Sequence, residues 1–126
     1  MERAIQEACN IAGITVEEID AISGFANGHM GMDALETQAY RDIFNRDIPI
    51  FSVRETIGEA RAAASTAQVA YAAKVLSGKT DSAQTAYILK ADSIEKTTAD
   101  VSAMKYILAV AAGVGGNYSA VILKKT

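Results

Sequence analysis

A single cysteine, Cys9, leaves no partner for an intrachain disulfide. A disulfide-stapled secreted fold is thereby excluded, and the cytoplasm is the expected compartment. One histidine, His29, is equally restrictive. With no second cysteine, only carboxylates remain to complete a shell around a metal, so no metal site is expected. Basic charge is short too. Twelve Lys and Arg face fifteen Asp and Glu, for a net charge of -3, and only Lys124-Lys125 forms a pair. Neither nucleic acid nor an anionic membrane surface is an expected partner. Met1-Glu2-Arg3 runs directly into an amphipathic pattern with no apolar h-region, so no signal peptide is expected. Nor does any stretch read as a membrane helix. The longest uncharged run, 106–123, is broken by Gly113, Gly115, Gly116 and Asn117, and reads as two strands around a glycine turn.

What remains is ordinary for a globular chain. Half of the 126 residues are apolar and 21% are charged, enough for one domain, 1–126, around one core. Ala4, Ile5, Ala8, Cys9, Ile11 and Ala12 have helical spacing, and Gly13 supplies a stop. Thr15 and Glu18 have capping-box spacing. Residues 19–25 read as a short buried strand. Asp33 and Glu36 mark a helix start, and Leu35, Ala39, Ile43 and Phe44 carry that helix to about Asn45. Pro49 permits a strand start, with the strand over 50–53. An alanine-rich helix is predicted over 57–77, buried between layers. Strands follow at 84–91, 106–112 and 118–124, while 92–103 reads as loop or short helix. The order predicts an α/β domain with a mixed sheet whose parallel core ends in an antiparallel strand pair.

Taken as residues alone, few side chains suggest chemistry. Cys9 lies on the apolar face of the first helix, where cysteine serves as a small core residue. Helix capping accounts for Asp33 and Glu36. The glycines at 113–116 lack the Lys-Ser/Thr of a phosphate loop and open no helix. Positive φ and close backbone approach are their expected use.

Four stretches share an order and spacing with a known family. Ile11-Ala12-Gly13-Ile14 precedes Ile19-Asp20. Asp33 and Glu36 sit eight and eleven residues after Phe25, which is followed by Ala26-Asn27-Gly28-His29. Ser52-Val53-Arg54-Glu55-Thr56-Ile57-Gly58-Glu59 opens the alanine-rich helix. Gly113-Val114-Gly115-Gly116-Asn117-Tyr118 joins the last two strands. Together they resemble the C-terminal half of a β-ketoacyl synthase, one half of a thiolase-like fold. In that family the first strand runs into His-Gly-Thr-Gly-Thr, the helix opens with Ser-x-Lys-x-x-x-Gly-His, and the final turn is Gly-Phe-Gly-Gly-Thr-Asn. The resemblance therefore puts Phe25 and Glu59 where the family has histidines, Arg54 where it has lysine, and Val114 where it has an aromatic gate.

The resemblance also implies a chemistry and its loss. Family members attack an acyl thioester with a cysteine from the N-terminal half, and two histidines donate hydrogen bonds to the enolate formed on decarboxylation. Phe25 has no donor, and Glu59 as an anion would repel an enolate. The turn Gly113–Gly116 would border the nucleophile and the acyl tunnel. His29 is the alternative catalytic residue, if a loop rearrangement shifted it. No cofactor is implied. The expected partners are an N-terminal ketosynthase half or a full ketosynthase subunit, with acyl carrier protein and a homo- or hetero-dimer as further expectations. The chain also opens at the helix after the family's first strand, which leaves an unpaired edge. The leading expectation is a noncatalytic subunit like a chain-length factor, in fatty acid or polyketide biosynthesis. The alternatives are a split ketosynthase half that completes an active acyltransferase, and a stand-alone acyl-binding or scaffold domain.

Overall fold

The computed structural model describes residues 1–25, 28–113 and 115–126. The first helix, α1, spans Glu2–Ala12 and buries Ile5 and Cys9, four residues apart on one face. Gly13 closes it in the left-handed conformation at φ 68, and the Ile14 N–H reaches back to the Cys9 carbonyl at 3.1 Å. The capping box at Thr15 and Glu18 forms around a 3₁₀ turn, Val16–Glu18. Strand β1 is only Ala21–Ser23, shorter than the run expected over 19–25. Helix α2 covers Met30–Phe44 and leads through the left-handed Asn45 to β2, Ile48–Phe51.

The alanine-rich stretch departs from expectation. It is not one helix over 57–77 but a short α3, Arg54–Ile57, then a 3₁₀ turn at Arg61–Ala63, then α4, Ala64–Leu76. Gly58 makes the break, at φ 75 and ψ -167. Only glycine occupies that region readily. Helical periodicity reads through the break because alanine fits both sides of it. Nothing lies within 4 Å of a Cβ added at Gly58, so a substitution there acts through backbone strain alone. Gly58→Ala is expected to lower the unfolding free energy by about 1–3 kcal/mol, read from urea denaturation. A change below about 0.5 kcal/mol, the ordinary surface value, would refute this account of the break.

The sheet has six strands in the order β4-β3-β2-β1-β5-β6. Here β3 is Ala83–Leu89, β4 is Ile94–Asp100, β5 is Tyr106–Ala112 and β6 is Tyr118–Lys124. Strand β1 pairs in parallel with both β2 and β5. Antiparallel hairpins flank this parallel core, β3–β4 on one side and β5–β6 on the other. The predicted C-terminal strand pair is present. Strand β4 corrects the expectation of a loop or short helix over 92–103. Its sequence, Ile-Glu-Lys-Thr-Thr-Ala-Asp, belongs to an edge, where only Ala99 is buried and charged side chains discourage further pairing.

Alternation along the strands divides the core. Ile22, Ile48, Ile50, Leu89, Leu108 and Val110 face Ile5 and Cys9 of α1 and Tyr40 and Phe44 of α2. Ala21, Phe51, Ala86, Ala99 and Ile107 face Ala72, Val75 and Leu76 of α4. The alanine-rich helix thus covers one face of the sheet, while its outer side, with Thr66, Ala70 and Ala73, is exposed. Asp20 ties the parallel core together. Its carboxylate accepts the backbone N–H groups of Lys105 and Tyr106 at 2.6 and 2.9 Å, fixing the start of β5 beside β1.

Candidate functional site

Side chains converge where β1 and β2 end. Ligand sites of open α/β sheets gather at the carboxyl ends of parallel strands. Strand β1 runs out through Gly24 into Phe25, and β2 through Ser52 and Val53 into Arg54. Two buried polar side chains hold these ends in place. Glu36 of α2 accepts the Phe25 backbone N–H and the Tyr40 hydroxyl, each at 2.6 Å. Gln68 of α4 donates to the carbonyl of Gly24 and receives the Ser23 hydroxyl on its own backbone carbonyl at 3.2 Å. Gly24 is confined between them. A Cβ there would sit 3.0 Å from Ile50 Cγ2 and 3.2 Å from Glu36 Oε1.

Arg54 joins the three positions that the resemblance singled out. Its guanidinium lies over the Phe25 ring, 5.0 Å from the centroid, and pairs with the Glu59 carboxylate. Burial is uneven across that pair: the Arg54 side chain is 13% exposed and Glu59 47%. Glu59 also accepts the Arg61 backbone N–H at 2.6 Å. Glu55, the neighbouring acid, is occupied elsewhere. It accepts the Tyr87 hydroxyl and pairs with Lys96. The Tyr87 hydrogen bond, then Lys96, pull its carboxyl below the usual range.

A pocket of about 420 Å³ opens beside this group. Tyr40, Ile50, Tyr87 and Ile94 give it apolar walls, while Asp33, Thr37, Arg54 and Glu59 give it polar ones. Among the described residues, three buried atoms of residues that line it have no hydrogen-bond partner: Arg54 Nε, Arg54 Nη1 and Asp33 Oδ1. Leaving a polar group in that condition costs about 1–3 kcal/mol. Among the described residues no group of three His, Cys, Asp or Glu could hold a metal.

Burial, with help from the Glu36 carboxylate, pushes the Tyr40 phenol well above its ordinary 10. A phenol whose folded pKa is raised resists ionisation in the folded state. The associated stability is complete below the unfolded pKa of about 10 and is lost as pH rises beyond it. In an absorbance titration at alkaline pH, Tyr40 is expected to ionise only with unfolding, and its replacement by phenylalanine to make that late step smaller by one tyrosine. A Tyr40→Phe profile identical to wild type would contradict the assignment.

Other candidates fall elsewhere. Cys9 is fully buried against the sheet, and burial, then Glu17 and Glu18, raise its thiol pKa, which suits a core residue. His29 is exposed, stands at the N-cap position of α2 without a side-chain capping bond, and does not line the pocket. The helix begins at Met30, so Asp33 lies in its first turn and Glu36 is not a cap. The β5–β6 turn closes with the Gly113 N–H on the Asn117 carbonyl at 2.8 Å, with Gly115 and Gly116 at φ 96 and 81. Its flanks Ala112 and Tyr118 share a small cleft with Phe25 and Leu35, so the turn arrives at the same end of the sheet. Val114, Ala26 and Asn27 lie outside the described residues. Sequence reasoning missed Glu36 and Gln68 as anchors. For Glu36 a signal existed in Tyr40, one helical turn on and able to donate.

No helix among the described residues is long and apolar enough to cross a membrane. No curated protein and no solved structure matches the chain. The family model of the β-ketoacyl synthase C-terminal domain matches residues 1–88, from α1 into β3, with β4 to β6 and the glycine turn beyond the matched stretch. That match spans most of the chain, including Phe25, Arg54 and Glu59, and the chain belongs to the β-ketoacyl synthase C-terminal domain family.

Proposed function

We propose that this domain serves ketosynthase-type biosynthesis as a noncatalytic component, in the manner of a chain-length factor. The observation that carries the reading is the Phe25–Arg54–Glu59 cluster. The positions matching the family's His, Lys and His come together at one strand end, yet none of the three presents a neutral imidazole donor. Arg54 is engaged with both of the others, so the three act as packing and as an ion pair. An enolate beside Glu59 would meet negative charge instead of the donors that stabilise it.

A C-terminal ketosynthase domain implies an N-terminal ketosynthase half, in the same chain or in another. The exposed small residues on the outer side of α4 and the open edge of β6 suit such a partner. A full ketosynthase subunit and an acyl carrier protein are the next partners in line. Co-purification of the domain with an N-terminal ketosynthase half or a full ketosynthase tests the reading. The expected result is a stable complex that leaves malonyl-carrier protein intact unless the partner brings its own histidines. Decarboxylation that depends on Glu59 or His29 of this chain would overturn it.

A further inference from the structure

The segment between β2 and α4 is fastened differently from the rest of the fold. Phe51 and Ala64, at its two ends, are buried, but no residue from Ser52 to Ala63 is. Neither half of the core includes a side chain from this stretch. Its backbone hydrogen bonds are local. Thr56 and Ile57 donate to the Val53 carbonyl at 3.0 and 3.1 Å, Gly58 to that of Arg54 at 2.8 Å, and Ala63 to that of Ala60 at 3.0 Å. Among the described residues, no backbone hydrogen bond of 53–63 reaches the sheet. Side chains alone hold the segment down. Glu55 accepts the Tyr87 hydroxyl of β3 and pairs with Lys96 of β4 at 3.3 Å, and Arg54 lies over the Phe25 ring. The Arg54–Glu59 pair is internal to the segment. Glu55 and Lys96 are 41% and 60% exposed, and ion pairs in contact with water hold weakly.

We propose that residues 53–63 form a strap that lifts as a unit while the sheet and the longer helices stay folded, with Glu55 as its latch to the β3–β4 hairpin. Segments with few buried apolar contacts and exposed backbone hydrogen bonds open at a fraction of the free energy of global unfolding. The strap carries its own turning points, Gly58 at φ 75 and Arg61 at φ 49, and a few such positions absorb the backbone change of a hinge. What lies under it is Ala64. This residue is 5% exposed yet belongs to neither half of the core. It shares a cleft of about 10 Å³ with Val53, Arg54, Ile57, Gly58 and Ala60, so the strap is its cover. Arg54 and Gly58 also line the pocket of about 420 Å³. The strap is thus a partition between the two spaces. Lifting it takes Arg54 off the Phe25 ring and joins the cleft to the pocket.

The chain's single thiol supplies the control. Cys9 is fully buried against the sheet, so a thiol reagent reaches it only through global unfolding. Ala64→Cys adds a second thiol beneath the strap. Mass spectrometry of the full chain follows both, at reagent concentrations where the rates scale with reagent, each divided by its rate in denaturant. The introduced thiol is expected to react at least about tenfold faster than Cys9. Glu55→Ala should raise its rate by about threefold or more, because the latch is broken in the open state. Tyr87→Phe, which keeps the ring and removes only the donor, should act in the same direction. Ile107→Val weakens the core on the α4 face, which stays intact when the strap lifts. It should speed Cys9 by about twofold or more and leave the introduced thiol unchanged. Equal rates at the two thiols, or an Ile107→Val effect shared by both, would mean that only global unfolding uncovers Ala64, and would overturn the proposal. So would a rate at position 64 equal to that in denaturant, since no closed strap would then exist. An unchanged rate there in both latch variants would remove Glu55 as the latch and overturn it as well.

Discussion

Glu36→Ala is expected to destabilise the domain by about 3 kcal/mol or more, read as a shift in the urea midpoint. The carboxylate is buried, and one of its oxygens receives both the Phe25 backbone N–H and the Tyr40 hydroxyl at 2.6 Å. Hydrogen bonds to a charged acceptor contribute about 1.5–3 kcal/mol each. Removing the acceptor strands a backbone donor at the end of β1 and a phenol that is 1% exposed. Glu36→Gln keeps a carbonyl oxygen of similar reach, so it should cost less than half as much. The amide shifts of Phe25 and Arg54 should move in the alanine variant and stay near wild type in the glutamine one. Equal effects of the two variants would mean that volume, not acceptance, is what Glu36 provides.

The same residue illustrates what the sequence can and cannot disclose. Asp33 and Glu36 have a spacing that both a helix start and the family pattern satisfy, and capping was the simpler reading. The helix instead starts at Met30, so Glu36 lies inside it, on the buried stripe it shares with Tyr40 and Phe44 at four-residue spacing, and accepts the Tyr40 hydroxyl there. Elements with strong local signals were legible. Gly13 ended α1, the Thr15–Glu18 box formed, and the glycine turn joined β5 to β6. Elements decided by tertiary context were not. Strand β4 has almost no apolar alternation because it is an edge strand, paired on one side only, with β3. Gly58 broke a helix whose composition on both sides favoured continuing it.

The candidate site was legible in a different way. Phe25, Arg54 and Glu59 are separated by up to thirty-four positions, and only the register of family motifs grouped them. Their meeting at one strand end depends on β1 and β2 lying side by side in parallel, so that both run out at the same edge. The pocket beside them was not legible at all. Its walls draw on Tyr87 and Ile94, which face it only because β3 turns back through β4.

Restoring the family residues should restore chemistry, and by a large factor. When the domain is joined to an N-terminal ketosynthase half that carries the nucleophile, the wild-type sequence is expected to decarboxylate malonyl-carrier protein no faster than the half alone. The triple variant Phe25→His, Arg54→Lys, Glu59→His should exceed it by roughly 10⁴, since each donor to a developing oxyanion contributes about 10²–10³. Single changes should recover little of this. Phe25→His alone places its imidazole beneath the Arg54 guanidinium, and Glu59→His alone leaves Arg54 without its ion-pair partner, with Phe25 still unable to donate. Residues that act as a unit are strongly non-additive. Three substitutions at one strand end also relieve one another: lysine carries no planar group to stack on residue 25, and it frees the space that the second imidazole needs. Complex formation and a cooperative melt for each variant separate lost folding from lost chemistry. If the wild-type complex turned over within tenfold of the triple variant, Phe25, Arg54 and Glu59 could not be the reason for inactivity, and the noncatalytic reading would fall with them.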